Sequence, residues 1–470
     1  MRFGTDGVRG VANTELTAET VMALGRAAAR VLGGRRFVVG RDTRRSGPLL
    51  CSALAAGVAA EGLDVVDLGV VPTPTVAFAS QEMDSAAAVV SASHNPFPDN
   101  GVKLLAAGGR KLSAEVERLL EEEAARALAP GRGAGVGDRP APTGEGVGAI
   151  GGDRRLVDRY VEHLVGSIEG RRLEGLRVAL DCANGAASEL APEVLSRLGA
   201  GLEVIHAAPD GTNINSGCGS TEPSSLREAV RGTGADLGLA LDGDADRVVA
   251  VDHRGELVDG DHLLALCALD LRARGRLRGD TVVVTVMANL GLRQSLAEQG
   301  LAVHETPVGD RYVLEALDAG GWSLGGEQSG HLVFRDLATT GDGILTGLQL
   351  LDLVHRRGRP LADLAEDAMR RVPQVLRNVP VADREALARS EAVQEELARV
   401  EAELGDRGRV LLRPSGTEPL VRVMVEAPTE EQAQAAADRL ARALLRAAGP
   451  KQGAGEQGRD PGTDRAADSL

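Results

Sequence analysis

Short apolar runs alternate with stretches of helical periodicity along most of this chain, and three of those runs end abruptly in loops of charged and small residues. Buried parallel strands read as continuous apolar runs, and helices fill the crossovers between them, so the alternation commits the chain to α/β units. In the first unit we read strands over 36–40, 64–68 and 86–91 and a helix over 46–61, with the loop 92–101 after the third strand. The second offers helices over 154–165 and 187–198 and strands over 176–181, 202–205 and 236–241, the last running into Asp242. A third has strands over 281–286 and 322–324 and a helix over 309–317, followed by the loop 325–331. The pattern then changes: strands over 409–412 and 421–426 flank a turn and a helix covers 429–447, a small α+β domain. Ligands in open α/β sheets bind beyond the carboxyl ends of the strands, so the three polar loops are expected to converge on one cleft.

The expected fold is therefore three similar α/β domains with mixed, mostly parallel sheets plus a C-terminal α+β domain around a central cleft. A length of 470 residues exceeds what one core supports, in keeping with several domains. We place them at 1–152, 153–255, 256–371 and 372–449. Pro and Gly crowd 129–152, a surface loop or domain edge, while the tail 450–470 has almost nothing to bury and is expected to be disordered.

Aromatic residues are only 2% of the chain, so Ala, Val and Leu must fill the cores. A formal charge of -15 with so few stacking groups excludes broad nucleic-acid binding. An anionic substrate would need a local cluster of Arg and Lys to overrule that average. Cys51, Cys182, Cys218 and Cys267 are scattered without CxxC pairing, which fits reduced thiols better than disulfides or a zinc site. The start of the chain lacks the apolar core of a signal peptide, and no run approaches the roughly 18 apolar residues of a membrane helix. The expectation is a cytoplasmic protein with no membrane or nucleic-acid partner.

Four loops carry chemistry. Residues 91–103 combine Ser91, Ser93, His94 and Lys103 after an apolar strand; this is either a nucleophile with its helpers or an Asn-Pro turn whose side chains bond their own backbone. Asp242, Asp244 and Asp246 alternate with Gly243 and Ala245, so an extended backbone turns all three carboxylates to one side, where a hard cation such as Mg²⁺ relieves their repulsion. A calcium loop would want Gly sixth and Glu twelfth, where Arg247 and His253 stand. Arg247 either orients one of the acids or reaches a substrate. Glu327, Ser329 and His331 sit between glycines and can grip sugar hydroxyls, or can simply face water in a turn. Arg413, Ser415, Gly416, Thr417 and Arg422 make an anion nest suited to a phosphate, without the spacing of a triphosphate loop.

Taken in order, residues 4–10 (GTDGVRG), 91–96 (SASHNP), 242–247 (DGDADR), 326–331 (GEQSGH) and 413–417 (RPSGT) resemble, across nearly the whole chain, the bacterial phosphoglucosamine mutases of the α-D-phosphohexomutase superfamily. The resemblance implies four domains lining one cleft. It implies an isomerase that interconverts glucosamine 6-phosphate and glucosamine 1-phosphate, through a phosphoserine enzyme and a 1,6-bisphosphate, feeding UDP-N-acetylglucosamine and cell-wall synthesis. On the same ground Ser93 is the phosphorylated residue, and it holds one Mg²⁺ together with Asp242, Asp244 and Asp246. Glu327 and Ser329 contact the sugar, while Arg413, Ser415, Gly416, Thr417 and Arg422 hold the non-reacting phosphate. Arg9 and Lys103 steady the transferring phosphate, Arg247 stands beside the acids, and His331 or Lys103 carries protons. Glucosamine or glucose 1,6-bisphosphate is implied as activator, a homodimer as assembly, and a kinase, a bisphosphate or the protein itself as the source of the first phosphate on Ser93. Gln328, with 308–312 (VGDRY) and 339–343 (TTGDG), favours the glucosamine branch over the alternative, a phosphomannomutase or phosphoglucomutase of the same superfamily.

Overall fold

The computed structural model describes residues 3–4, 7–129, 140–414 and 419–448, which form two compact units. The first, residues 1–288 and 296–368, contains three sheets; the second, 289–295 and 369–470, contains one. The expectation of disorder over 450–470 lies outside the described residues.

The first sheet has seven strands: β1 (Val8–Val11), β2 (Arg36–Arg41), β3 (Asp64–Val70), β4 (Ala86–Val90), β5 (Asp99–Ala106), β6 (Arg110–Lys111) and β7 (Ile150–Gly152). β2 lies parallel to both β3 and β4, and β5 returns antiparallel to β4. The second is built from β8 (Arg177–Asp181), β9 (Gly201–Ile205), β10 (Leu237–Leu241), β11 (Val248–Asp252) and β12 (Leu257–Val258). There β8 is parallel to β9 and β10, and β11 returns antiparallel to β10. The third comprises β13 (Thr281–Thr285), β14 (Ala302–Thr306), β15 (Leu324–Gly326) and β16 (Leu332–Phe334), with β13 parallel to β14 and β15 and β16 returning antiparallel to β15. One device thus recurs three times. A parallel strand runs into a polar loop, and the chain comes straight back beside it, so each loop is pinned at both ends by a ladder. The sequence reading found β4, β10 and β15 but not the return strands β5, β11 and β16.

Three further readings are corrected. Gly325 and Gly326 are not loop; they pair with Val283 and Val284 on one side and Val333 and Leu332 on the other. A Cβ on Gly325 would lie 2.9 Å from the Val283 side chain, so the strand needs residues that look like turn formers. The helix expected over 187–198 is Leu190–Arg197. Pro192 has no N–H and belongs in a first turn, and Ala183 and Asn184 before it have positive φ. Residues 150–152 are not pure loop, because β7 adds an exposed edge to the first sheet beside β3.

Small residues set the packing, as the lack of aromatics demands. A Cβ on Gly25 would strike the Leu54 carbonyl, and one on Gly57 the Met22 carbonyl, so the helices Ala18–Leu32 and Gly47–Ala59 approach through glycine. All four cysteines are free and buried, and burial pushes the thiols of Cys51 and Cys218 up to about 12. No helix among the described residues is long and apolar enough to cross a membrane. In the second unit β17 (Gln374–Pro380), β18 (Arg409–Pro414) and β19 (Leu420–Glu426) form an antiparallel sheet in the order β17-β19-β18, covered by the helix Glu430–Ala447.

Candidate active site

Ser93 stands where β4 ends, fully buried, with φ +52°. A non-glycine residue held in the left-handed region costs on the order of 1–3 kcal/mol and persists only when its surroundings over-determine it. Here they do. Its N–H donates to Ser91 Oγ (2.9 Å), Ser91 Oγ donates to Asp42 Oδ2 (2.6 Å), and its own Oγ donates to Asp242 Oδ2 (2.6 Å).

The aspartate loop follows β10 and is not extended as the alternation suggested: a turn through Ala245, φ +55°, and not strand geometry, brings Asp242, Asp244 and Asp246 together, all buried. One oxygen from each lies within 4.8 Å of the others, a group that could hold a metal ion. The remaining atoms show what such an ion would meet. Asp244 Oδ2 accepts from Thr73 Oγ1 (2.6 Å) and Lys103 Nζ (2.8 Å), whereas Asp244 Oδ1 and Asp246 Oδ1 are buried with no hydrogen-bond donor among the described residues. Two orphaned carboxylate oxygens in an oxygen-only set fit a hard divalent cation.

Cations ring the acids. Lys103, on β5, also stands 3.4 Å from Asp246 Oδ2, and Arg247 Nε lies 3.7 Å from Asp246 Oδ1. Burial raises the carboxyl pKa of Asp246, but Lys103, His331 and Arg247 outweigh it and hold the group well below the ordinary range. Asp242 goes the other way: burial, then the charges of Asp246 and Asp244, push it well up. One acid of the trio is thus firmly ionised and another is strained by its neighbours.

His331 is buried with Nδ1 3.6 Å from Asp246 and Nε2 3.8 Å from Asp310. Burial disfavours its imidazolium, yet Asp246 beside it, with the charges of Asp310 and Glu327, raises its pKa overall. The Gly341 N–H points at Nε2 (3.2 Å), so the single proton of the neutral ring sits on Nδ1, facing Asp246. His94 differs: burial, then Arg247 and Arg9, push its pKa down to about 4, so it is neutral. Arg9 Nη1 donates to Asn95 Oδ1 (3.3 Å) at the rim of the serine loop. Glu327 accepts from the Gly309 N–H and from Ser329 Oγ, both at 3.2 Å, and the loop packs on β11 through Val248 N–H to Gly330 O (3.1 Å).

Of the sequence-predicted residues, then, Ser93, the three aspartates, Lys103 and His331 share one buried cluster, with Arg247 half-buried beside it. Glu327 and Ser329 lie on the neighbouring loop. In the second unit Arg413 and Arg422 face each other directly across β18 and β19. Partial burial, then the charge of Arg422, lowers the pKa of Arg413. Two like charges opposed in a sheet are unfavourable on their own account. Ser415, Gly416 and Thr417 lie outside the described residues.

Two contributors escaped the sequence reading. Arg44, 1% exposed, bonds Asp42 through Nε (2.9 Å) and donates to the carbonyls of Ser93 (2.9 Å), Asn95 (2.7 Å) and Asp99 (3.1 Å). Thr73 anchors Asp244 by side chain and, through N–H to Asp244 O (2.9 Å), by backbone. The only available signal was position: both follow the carboxyl ends of parallel strands, β2 and β3.

Family models described as phosphoglucomutase/phosphomannomutase alpha/beta/alpha domains I, II and III and C-terminal domain match residues 1–129, 158–255, 259–372 and 376–443. A phosphoglucosamine mutase of Thermobifida fusca is 55% identical over 447 residues, covering 93% of this chain and 97% of its own. One from Symbiobacterium thermophilum is 55% identical over 431 residues, 90% of this chain and 94% of its own. Among solved structures, a phosphoglucomutase/phosphomannomutase family protein from Burkholderia thailandensis superposes with a TM-score of 0.78 at 28% identity, covering 94% of this chain and 97% of that one.

Proposed function

The chain belongs to the phosphoglucosamine mutases of the α-D-phosphohexomutase superfamily, and on that premise we propose that it interconverts glucosamine 6-phosphate and glucosamine 1-phosphate in the cytoplasm, with Ser93 as phosphoryl carrier. It is an isomerase acting by intramolecular phosphoryl transfer. The observation that carries the assignment of roles is the Ser93 hydroxyl, buried and 2.6 Å from a carboxylate of a trio with two orphaned oxygens. Binding alone needs no buried hydroxyl there.

In the forward direction the Ser93 Oγ–P bond breaks as the sugar 1-hydroxyl forms its own bond to phosphorus, and the hydroxyl proton passes to a neighbouring base. The 1,6-bisphosphate turns over and its 6-phosphate returns to Ser93. Mg²⁺ at Asp242, Asp244 and Asp246, when bound, supplies charge neutralisation for the phosphoryl group in flight. Lys103 and Arg9 orient the oxygens of the transferring group, and Arg247 holds Asp246 in place. His331 or Lys103 carries the proton; both stand against Asp246 Oδ2, His331 Nδ1 at 3.6 Å and Lys103 Nζ at 3.4 Å. The bisphosphate carries roughly -3 to -4 charge at neutral pH, so a second cationic station is needed for its far end. Arg413 and Arg422, with Ser415, Gly416 and Thr417, supply it, and Glu327 and Ser329 hold the sugar hydroxyls. A 1,6-bisphosphate of glucosamine or glucose recharges any enzyme that has lost its phosphate.

Substrate choice is tested by kcat/KM on glucosamine, glucose and mannose 6-phosphates. We expect glucosamine 6-phosphate to lead by about tenfold or more, as a site built to pair an amino group rejects analogues lacking it. A lead for mannose or glucose 6-phosphate would overturn the glucosamine assignment.

A further inference from the structure

The carbonyl oxygens of Ser93 and Asn95 each accept two hydrogen bonds, and in both cases the same two side chains donate them. Arg44 Nη2 reaches Ser93 O at 2.9 Å and Asn95 O at 2.7 Å; Asn215 Nδ2 reaches the same atoms at 2.9 and 3.1 Å. Arg44 follows β2 of the first sheet. Asn215 lies between β9 and the helix Ser224–Thr233, so it belongs to the second sheet's connections. The serine loop is therefore gripped from two sides by parts of the chain more than a hundred residues apart.

Asn215 touches the aspartate loop as well. A Cβ on Gly243, between Asp242 and Asp244, would lie 2.6 Å from Ser93 O and 2.8 Å from Asn215 Nδ2. One amide thus rests against both the backbone bearing the hydroxyl and the backbone bearing the carboxylates. Its own conformation is held: φ is +57°, a region asparagine tolerates, and its N–H donates to Ala183 O (2.9 Å).

We propose that Asn215 is a positioning residue for phosphoryl transfer, fixing the serine loop against the aspartate loop so that Ser93 Oγ keeps its place whether free or phosphorylated. The inference rests on Ser93 being the carrier. Arg44 already satisfies both carbonyls, so loss of the Asn215 amide orphans no buried acceptor and costs little stability. What it removes is the second constraint on a residue held in the left-handed region. A misplacement of the order of 1 Å in a reacting group can cost roughly a hundredfold in rate.

The test uses Asn215→Asp, which keeps the shape but cannot donate, and Asn215→Gly, which keeps the positive φ but has no amide. Both are compared with the parent for kcat and KM on glucosamine 6-phosphate, Tm, and the phosphorus NMR resonance of the phosphorylated protein. We expect kcat to fall by about tenfold or more in both, KM to stay within about twofold, Tm of the glycine variant to drop by only a few degrees, and the phosphoserine resonance to move. A kcat within twofold of the parent in either variant, or a kcat loss with the resonance unmoved, overturns the proposal. A parent inactive on all three hexose 6-phosphates would instead strike at the proposed function, so the two failures are distinct.

Discussion

Ser93→Ala is expected to lower mutase activity by roughly four orders of magnitude, about 5 kcal/mol of barrier, measured as glucosamine 1-phosphate formed per enzyme. Without the hydroxyl there is no acceptor for the returning phosphate, and the cluster around it cannot substitute. Lys103 is engaged with two carboxylates, His94 is pushed to a pKa of about 4, and the hydroxyls of Ser91 and Thr73 donate to the buried Asp42 and Asp244. Stability should move little by comparison. The variant loses the donor to Asp242 Oδ2, a loss of about 1–3 kcal/mol when the acceptor is left buried and unpaired. It keeps the Arg44 and Asn215 bonds to the main chain, which do not involve the hydroxyl. A variant that is folded, binds glucosamine 6-phosphate and is inactive is the predicted outcome; one retaining a tenth of parental activity would remove Ser93 from the mechanism.

Asp242→Asn should have opposite effects on activity and on metal-free stability. Burial and the charges of Asp246 and Asp244 raise the Asp242 pKa, so its ionised form is a cost in the metal-free protein. A raised folded pKa means a stabilising contribution that is complete below the unfolded value and lost as pH rises through the folded one. The substitution removes that loss. The new amide can still accept from the Arg247 N–H and meet the Ser93 hydroxyl, now as donor, so both contacts of Asp242 persist. In a chelator at neutral pH, the Asp242→Asn protein should therefore melt above the parent, and the gap should close as pH falls. Added Mg²⁺ should raise the parental Tm by mass action and leave the variant unmoved, while activity falls by about a thousandfold or more. Equal Mg²⁺-induced shifts in both proteins would contradict the assignment of Asp242 as a ligand.

How much of this was legible from the sequence differs from loop to loop. The aspartate loop announces itself because three carboxylates at alternate positions after an apolar run have no cheap alternative, and the structure places all three in one buried group. The pairing of Ser93 with Asp242, 149 residues away, was not legible as a contact, since nothing in either loop points to the other. It follows from the repeated device of parallel strand, loop and antiparallel return. That device was half hidden: β11 follows the aspartates directly as a short apolar run, β5 opens on polar Asp99 and Asn100, and glycines 325 and 326 look like a turn until the neighbouring strands leave no room for a Cβ. Arg44 and Asn215 were invisible for a related reason. A buried arginine is marked only by the carbonyls it serves, and those belong to a loop about fifty residues on. The phosphate loop was legible as a motif, and Arg413 opposite Arg422 is the part of it that the sheet displays.

That Ser93 passes its phosphate to the sugar is tested most directly with protein carrying radiolabelled phosphate on Ser93, mixed with unlabelled glucosamine 6-phosphate and sampled within one turnover. Label is expected to leave the serine-bearing peptide and appear in sugar bisphosphate and then in the monophosphate pool, with no release of inorganic phosphate. Label that stays on the peptide while glucosamine 1-phosphate forms, or that departs as inorganic phosphate, would contradict it.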